Sequence, residues 1–334
     1  MKGCLQKLIA RQNLSEQEAG VAFDLIMSGE ATQAQLGSFL TALRMKGETV
    51  DELAGASRSM RRHAVFVDPR GKPVVDTCGT GGDSLATFNI STTAAFVVAG
   101  AGVPVAKHGN RSITSKCGSA DVLAELGVNL DVAPDVMEDC IHEVGIGFLF
   151  APKLHPAMKH AMGPRKELGF RTVFNLLGPL ANPAGAKYQV LGVFAPELTE
   201  MFAEVLKRLG SRRVFVVHGQ DGMDEITVTG TTRISELRDG SIRTYNFDPL
   251  SVMEDYASLS SLAGGDAVMN ASISRAILEG EAGPRRDIVC LNAAAGLIAG
   301  GKANDFADGF KLAGQAIDSG SALKALEGLV MATR

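Results

Sequence analysis

Between Asp76 and Ala120 the chain reads DTCGTGGDSLATFNISTTAAFVVAGAGVPVAKHGNRSITSKCGSA. The residue types in this stretch suit one kind of chemistry. Glycine-rich turns at 79–83 and 107–111 let backbone N–H groups come close to an anion. The hydroxyls of Ser91, Thr92, Thr93, Ser112, Thr114 and Ser115 and the cations Lys107, Arg111 and Lys116 complete a cradle. Asp83 is the only acid between Asp76 and Asp121. The pattern points to a binding site for a phosphorylated small molecule.

Each component also has a plainer reading. GTGGDS (79–84) is a poor dinucleotide fingerprint, because Ser84 takes the third glycine position and Lys107 stands where an acid should end the next strand. No Gly-Lys-Ser/Thr follows, so it is not a P-loop, and alone it could be an ordinary turn. FNISTTAAF (88–96) puts Ser91, Thr92 and Thr93 at a predicted helix start, where free N–H groups favour a phosphate, although Ser91 could merely cap the helix. KHGNRS (107–112) lies at the carboxyl end of a predicted strand, where ligand sites of open sheets gather; the alternative is a solvated turn. Asn110 there could bond a polar substrate, and His108 alone says little about acid–base chemistry.

Two further segments complete the chemistry. In DGMDEIT (221–227) the vicinal Asp224 and Glu225 suit a hard divalent cation shared with substrate phosphates and water; the alternative is a charged hairpin. HPAMKHAMGPRKELGFR (155–171) mixes His155, Met158, Met162, Arg165 and Arg171. Such a mixture could receive an aromatic carboxylate against a guanidinium, although a single arginine more often lies on the surface.

Composition narrows the field. With 334 residues, 46% hydrophobic, two domains are expected. A net charge of −4, three tyrosines and no tryptophan argue against a nucleic-acid surface or a polybasic membrane patch. Cys4, Cys78, Cys117, Cys140 and Cys290 form no CxxC pair, so reduced thiols are expected rather than disulfides or zinc. Cys78 and Cys117 flank the glycine turns, but with no base paired to either they read as buried fillers rather than nucleophiles. No signal peptide and no apolar run of membrane-spanning length is visible, and a cytoplasmic protein is expected.

The elements that must position these residues can be sketched. Capping boxes Ser15–Glu18, Thr32–Gln35 and Thr49–Glu52 mark three helices within the first 63 residues. Leu36, Phe39, Leu40 and Leu43 form an apolar stripe on the second. Residues 65–73 read as a linker. From Val74 strands and helices alternate: strands over VVDTC, VPVAKHG, VNLDV, IGFLFAP, YQVLGVF and RVFVVHG, and helices over STTAAFVVAGAG, ADVLAELG (capped by Ser119), PDVMEDCIHEVG and PELTEMFAEVLKRLG. That order predicts a mainly parallel sheet. Residues 226–246 suggest an antiparallel edge ribbon, and helices close the chain from about Gly265. The fold class is therefore α/β: a small helical N-terminal domain (1–70, with helical contributions from about 155–178) plus an α/β domain (74–334) built on a mainly parallel central sheet.

Taken together, GTGGD (79–83), TFNISTT (87–93), VAKHGNRS (105–112), GSADVL (118–123), HPAMKHAMGPRKELGFRTVFNLLGPLANP (155–183) and DGMDE (221–225) resemble the anthranilate phosphoribosyltransferases of tryptophan biosynthesis, in that family's motif order and over nearly the whole chain. The resemblance implies the fold shared with pyrimidine nucleoside phosphorylases, a cleft between the domains, and a homodimer paired through the helical domain. It implies that Gly79, Gly82, Asp83, Thr87, Asn89, Ile90, Ser91, Thr92, Lys107, His108, Gly109, Asn110, Arg111, Ser112, Ile113, Thr114, Ser115 and Ser119 surround phosphoribosyl pyrophosphate. Asn110, Arg165 and the backbone at Gly79 would contact anthranilate, and Ser91, Asp224 and Glu225 would bind Mg²⁺. No residue is expected to act as a covalent or general-base catalyst. Gly178 matches the family's hinge region, and Ser84 departs from its usual glycine. Two rival readings remain open here: a nucleoside phosphorylase, for which GPRKELGFRT has no evident use, and a non-catalytic nucleic-acid-binding relative, which should be basic.

Overall fold

A computed structural model describes residues 1–82, 85–112 and 117–334. The chain opens with α1 (Lys2–Ile9), α2 (Glu16–Met27), α3 (Gln33–Lys46) and α4 (Val50–Arg62). The three expected capping boxes are all present, each with its reciprocal pair of hydrogen bonds. The additional helix is α1; it carries no capping signal, and it buries Leu8 while packing on α3.

The α/β part runs β1 (Val75–Gly79), α5 (Ile90–Gly100), β2 (Val105–Gly109), α6 (Ser119–Glu125), α7 (Pro134–Asp139), β3 (Ile146–Phe150), α8 (Ala151–Leu154), α9 (Lys159–Leu168), α10 (Phe174–Leu177), β4 (Tyr188–Gly192), α11 (Leu198–Arg208), β5 (Arg213–Gly219), β6 (Thr232–Arg238) and β7 (Ser241–Phe247). Helices α12 (Ala267–Leu278), α13 (Pro284–Ala299), α14 (Phe306–Asp318) and α15 (Ser321–Ala332) end it. The sheet order is β3-β2-β1-β4-β5-β6-β7. The first five strands are parallel, and β6 and β7 join antiparallel as the expected ribbon. Their turn puts Asp239 at φ 50° and Gly240 at φ 79°, the left-handed pair that a tight hairpin needs.

Three expectations are corrected. VNLDV (128–132) is not a strand. Asn129 Oδ1 accepts from Asp131 N (2.9 Å) and Asn129 N donates to Thr333 Oγ1 (3.2 Å), so local side-chain bonds replace a ladder there and β3 is left at the sheet edge. Ser119 is the first residue of α6 rather than its cap: Asp121 accepts instead from Gly118 N (2.9 Å) and Ser112 N (3.0 Å). α7 is shorter than PDVMEDCIHEVG and passes into a π-helical turn, Cys140–Val144, closed by Gly145.

Strand side chains alternate between two cores. Val75, Val190, Phe215 and Val217 face α5 and α13–α15. Leu191, Val193, Val214 and Val216 face a second core with α11 and the N-terminal helices, which α9 and α10 also join through Ala161, Phe174 and Leu177. No helix among the described residues is long and apolar enough to cross a membrane.

Candidate active site

In an open parallel sheet, ligands bind outside the carboxyl ends of the strands, where the winding reverses. Here β2 and β3 lie on one side of β1 and β4 and β5 on the other, so the reversal falls at β1 and β4. A cavity of about 660 Å³ opens at that place. Its walls come from the turn after β1, the start of α5, the end of β2 with the turn that follows, the loop after β5, and the segment before α12. A surface groove between α2 and α4 has charges already paired with one another, Arg58 with Glu16 and Arg62 with Asp24, and offers no comparable chemistry.

Most of the residues picked from the sequence meet in this cavity. Gly79, Gly82, Thr87, Asn89, Ile90, Ser91 and Thr92 line it, as do Lys107, His108, Gly109, Asn110, Arg111, Ser112 and Ser119. Asp224 and Glu225 line it too, beside the turn after β1 and the start of α5. Asp83, Ser84, Ile113, Thr114, Ser115 and Lys116 lie outside the described residues. Arg165 does not line the cavity: it is partly buried on α9, with its guanidinium 5.0 Å from the Phe174 ring centroid and no ion-pair partner among the described residues. Thr93 turns away, sharing its hydroxyl with Ser274 (2.8 Å).

The structure adds residues that motif reading passed over. Arg171 and Asn175 line the cavity from the helical side. Arg171 donates to Gly82 O (3.1 Å) and lies 4.7 Å from the centre of the Phe194 ring. Asn270 Nδ2 donates to Asn89 Oδ1 (3.0 Å), so Asn89 is held from α12. Arg171 stood in the quoted motif; Asn175 and Asn270 carry no local signal, since only the fold brings their elements to the cleft.

Helix α5 starts at Ile90 with Asn89 as its cap residue, so Ser91 and Thr92 sit in its first turn, where amide N–H groups have no partner within the helix, near the cavity. Glu225 Oε1 accepts from Ser91 N (3.1 Å), and Asp224 Oδ2 accepts from Gly81 N (2.9 Å). The acid pair thus reaches the same backbone donors that face the cavity. Two glycines make the approach possible. A Cβ at Gly79 would stand 2.7 Å from Asp224 Oδ2, and one at Gly192 only 1.6 Å from Asp224 O.

The ionisable groups beneath the cavity are unusual. Lys107 is buried beside Asp76, with its ammonium donating to Thr77 O. Burial pulls Lys107 below its ordinary range against the attraction of Asp76, and burial pushes the Asp76 carboxyl up. Asp76 accepts from His108 N (3.1 Å) and Asn182 Nδ2 (2.8 Å), so it fixes the backbone from which Lys107 and His108 project. His108 Nδ1 lies 3.1 Å from Gly178 O, and the His108 and His155 Nε2 atoms are 3.2 Å apart. A carbonyl only accepts, which assigns the His108 hydrogen to Nδ1 and leaves its Nε2 facing His155 Nε2. Burial pushes His108 down to about 3 and His155 down to about 4, so both are neutral near pH 7. Burial raises both the Cys78 and Cys117 thiols, away from the thiolate form a nucleophile needs. The arrangement can grip an anionic sugar phosphate and a cation between backbone amides and carboxylates.

Comparison with known proteins agrees. Residues 2–64 match the family described as the glycosyl transferase family, helical bundle domain, and residues 71–323 match the glycosyl transferase family, a/b domain. An anthranilate phosphoribosyltransferase of Desulfosudis oleivorans is 59% identical over 331 residues, spanning 99% of this chain and 98% of that protein. The protein of that name from Moorella thermoacetica is 57% identical over 330 residues, 99% of this chain and 97% of its own. The crystal structure of the Thermus thermophilus enzyme superposes with a TM-score of 0.94 at 44% identity, covering 99% of both chains. The Saccharomyces cerevisiae enzyme, solved in complex with PRPP and Mg, superposes at 0.90 with 29% identity, covering 99% of this chain and 97% of that one.

Proposed function

This chain belongs to the anthranilate phosphoribosyltransferase family, and from that premise we propose that it joins the amine of anthranilate to the anomeric carbon of phosphoribosyl pyrophosphate and releases pyrophosphate, in the tryptophan-forming pathway of the cytoplasm. The observation that carries the reading is the pairing of Asp224 and Glu225 with the amides of Gly81 and Ser91 across the mouth of β1 and β4. Neither rival reading finds support among the relatives described above.

The donor set fits Mg²⁺. Two hard carboxylates stand beside a serine and glycine amides, and such an ion is ordinarily held by one or two carboxylates with substrate phosphates completing its shell. Asp224, Glu225 and Ser91 would hold it. When bound, the ion supplies positive charge against the departing diphosphate. The remaining work belongs to the chain itself. Amides of the turn after β1 and the first turn of α5 offer donors to phosphate oxygens, and Lys107 adds a cation beneath them. Asn110, which lines the cavity, and Arg165, which stands on α9 with no acid partner among the described residues, are assigned to the acceptor on the family resemblance. An arylamine is uncharged at neutral pH, so it attacks without a strong base. The neutral His108 and His155 suit that, orienting rather than abstracting. The principal kinetic gain is alignment of amine and sugar carbon between the two walls, a positioning effect. Pairing of two copies through α1 and α3 would cover Ile9 and Met45, which are 74% and 70% exposed.

The test is direct. Protein, Mg²⁺, phosphoribosyl pyrophosphate and anthranilate are mixed, and anthranilate fluorescence is followed. Loss that requires both the donor and the metal supports the reading; persistence of the signal with all components present overturns it.

A further inference from the structure

A set of buried contacts stands behind the acid pair and faces away from the cavity. Asn292, on α13 and 2% exposed, closes a two-way ring with Ile226. Its Oδ1 accepts from Ile226 N (2.9 Å) and its Nδ2 donates to Ile226 O (2.9 Å). The second amide hydrogen goes to Ile288 O (2.9 Å), so both donors are used. A carboxamide can both give to and take from one backbone residue, imitating a neighbouring strand. Ile226 follows Glu225 directly, and both peptides flanking Ile226 are pinned. Pinning both peptides fixes the backbone from which the Glu225 side chain projects.

The other side of the loop is tied by Asp221. Its Oδ1 accepts from Met223 N (3.0 Å), and its Oδ2 accepts from the hydroxyls of Thr227 and Thr229. Backbone bonds from Gly219 N to Met223 O (2.8 Å) and from Gln220 N to Thr231 O (2.9 Å) close the loop at its base. Neither Asn292 nor Asp221 lines the cavity.

We propose that Asn292 and Asp221 are positioning residues for the divalent-cation site, holding from behind the backbone that presents Asp224 and Glu225. The proposal rests on the reading of that acid pair as the metal site. Partners that orient metal ligands without touching the metal commonly govern its affinity by about 10–100-fold. The experiment uses full-length protein with phosphoribosyl pyrophosphate, titrated with Mn²⁺ and followed by electron paramagnetic resonance, with the signal of the donor alone subtracted. Asn292→Leu keeps the volume and removes the ring; Asp221→Asn keeps the shape and removes the oxygen that accepts from both the Thr227 and Thr229 hydroxyls. Mn²⁺ retention is expected to weaken about tenfold or more in Asn292→Leu and by less in Asp221→Asn, while KM for anthranilate at saturating Mg²⁺ is unchanged. Wild-type Mn²⁺ affinity in both folded variants overturns the proposal, as does an equal loss for anthranilate. Should Asn292→Leu not fold, unchanged retention in Asp221→Asn is sufficient to overturn it. The control Asp224→Asn with Glu225→Gln separates the premise: if that double variant retains Mn²⁺ as wild type does, the metal reading itself fails.

Discussion

His108 and His155 meet through their Nε2 atoms beneath the cavity, and burial holds both neutral, down to about 3 and about 4. In an unfolded chain each would take its proton near pH ~6.5. Between the folded and unfolded values the unfolded state binds protons that the native state refuses. Their contribution to stability is therefore full above that unfolded value and is lost as the pH falls toward the folded ones. Each histidine adds a slope of at most about 1.4 kcal/mol per pH unit. Urea midpoints should thus fall from about pH 6.5 to about pH 4.5, and His155→Gln should flatten that fall. Identical slopes in the two proteins would remove the histidines from the account. Arg165 is the other residue whose setting makes a prediction. Its partly buried guanidinium lies over Phe174 without an ion-pair partner among the described residues. Arg165→Ala is expected to raise KM for anthranilate about tenfold or more with little change for the donor, since a charge-assisted bond is lost on one substrate only. Steady-state kinetics with each substrate varied would show it; equal weakening of both would move the acceptor's carboxylate elsewhere, with Arg171 the next cation to test.

The corner between α3 and α4 shows how far capping chemistry reaches into the core. Glu52 is 1% exposed, yet it accepts from Thr49 N (2.9 Å), Leu14 N (2.9 Å) and Lys46 Nζ (2.9 Å). Its carboxylate therefore holds three segments together. Glu52→Ala would strand Lys46, whose side chain is 6% exposed, so a loss of about 3–5 kcal/mol is expected in urea unfolding. A loss below about 1 kcal/mol would mean the pair behaves like a surface contact. At the end of β4, Gly192 stands so close to Asp224 O that any side chain must displace the acid loop. Gly192→Ala is expected to lower kcat/KM about a hundredfold, because shifts near 1 Å cost that much at a reacting centre. Near-wild-type kinetics would show that the loop tolerates the shift. These two elements also mark what the sequence made legible. Capping boxes are local, so α2, α3 and α4 could be read directly from three-residue spacings. The strand alternation, the edge ribbon and the glycine cradle were legible for the same reason. VNLDV was misread because its alternation is real but Asn129 and Asp131 form a turn through the Asn129 side chain. The partners of the acid loop on α13, and the cavity positions of Asn175 and Asn270, depend on contacts distant in sequence and left no local trace.

The sheet divides the molecule into two cores, and the second is shared by parts that family descriptions keep separate. Phe23, Phe39 and Leu53 of the N-terminal helices belong to the same cluster as Leu191, Val193, Val214 and Val216 of the strands. Phe23 meets Phe174 edge-on with ring centres 5.6 Å apart, and Arg61 Nε donates to Leu180 O (2.8 Å). Helix α4 also packs on α11. Three or four short helices bury too little apolar surface to stand alone, and here much of what they bury lies on the strands and α11. The helical layer and the sheet should therefore unfold together in one transition. The cavity makes the same demand from another direction, because Arg171 and Asn175 contribute one wall while Gly81, Ser91 and Glu225 contribute the other. A ligand spanning both walls stabilises whatever unit carries them, by about 2.7 kcal/mol at a hundredfold excess over its Kd. Hydrogen exchange measured through a urea series is the decisive measurement. Amides of α2 and α3 and amides of β4 and β5 should share one unfolding free energy, and phosphoribosyl pyrophosphate with Mg²⁺ should raise both by the same amount. Helical amides that open at lower urea, or that gain nothing when the ligand is added, would show the second core to be two units in contact rather than one.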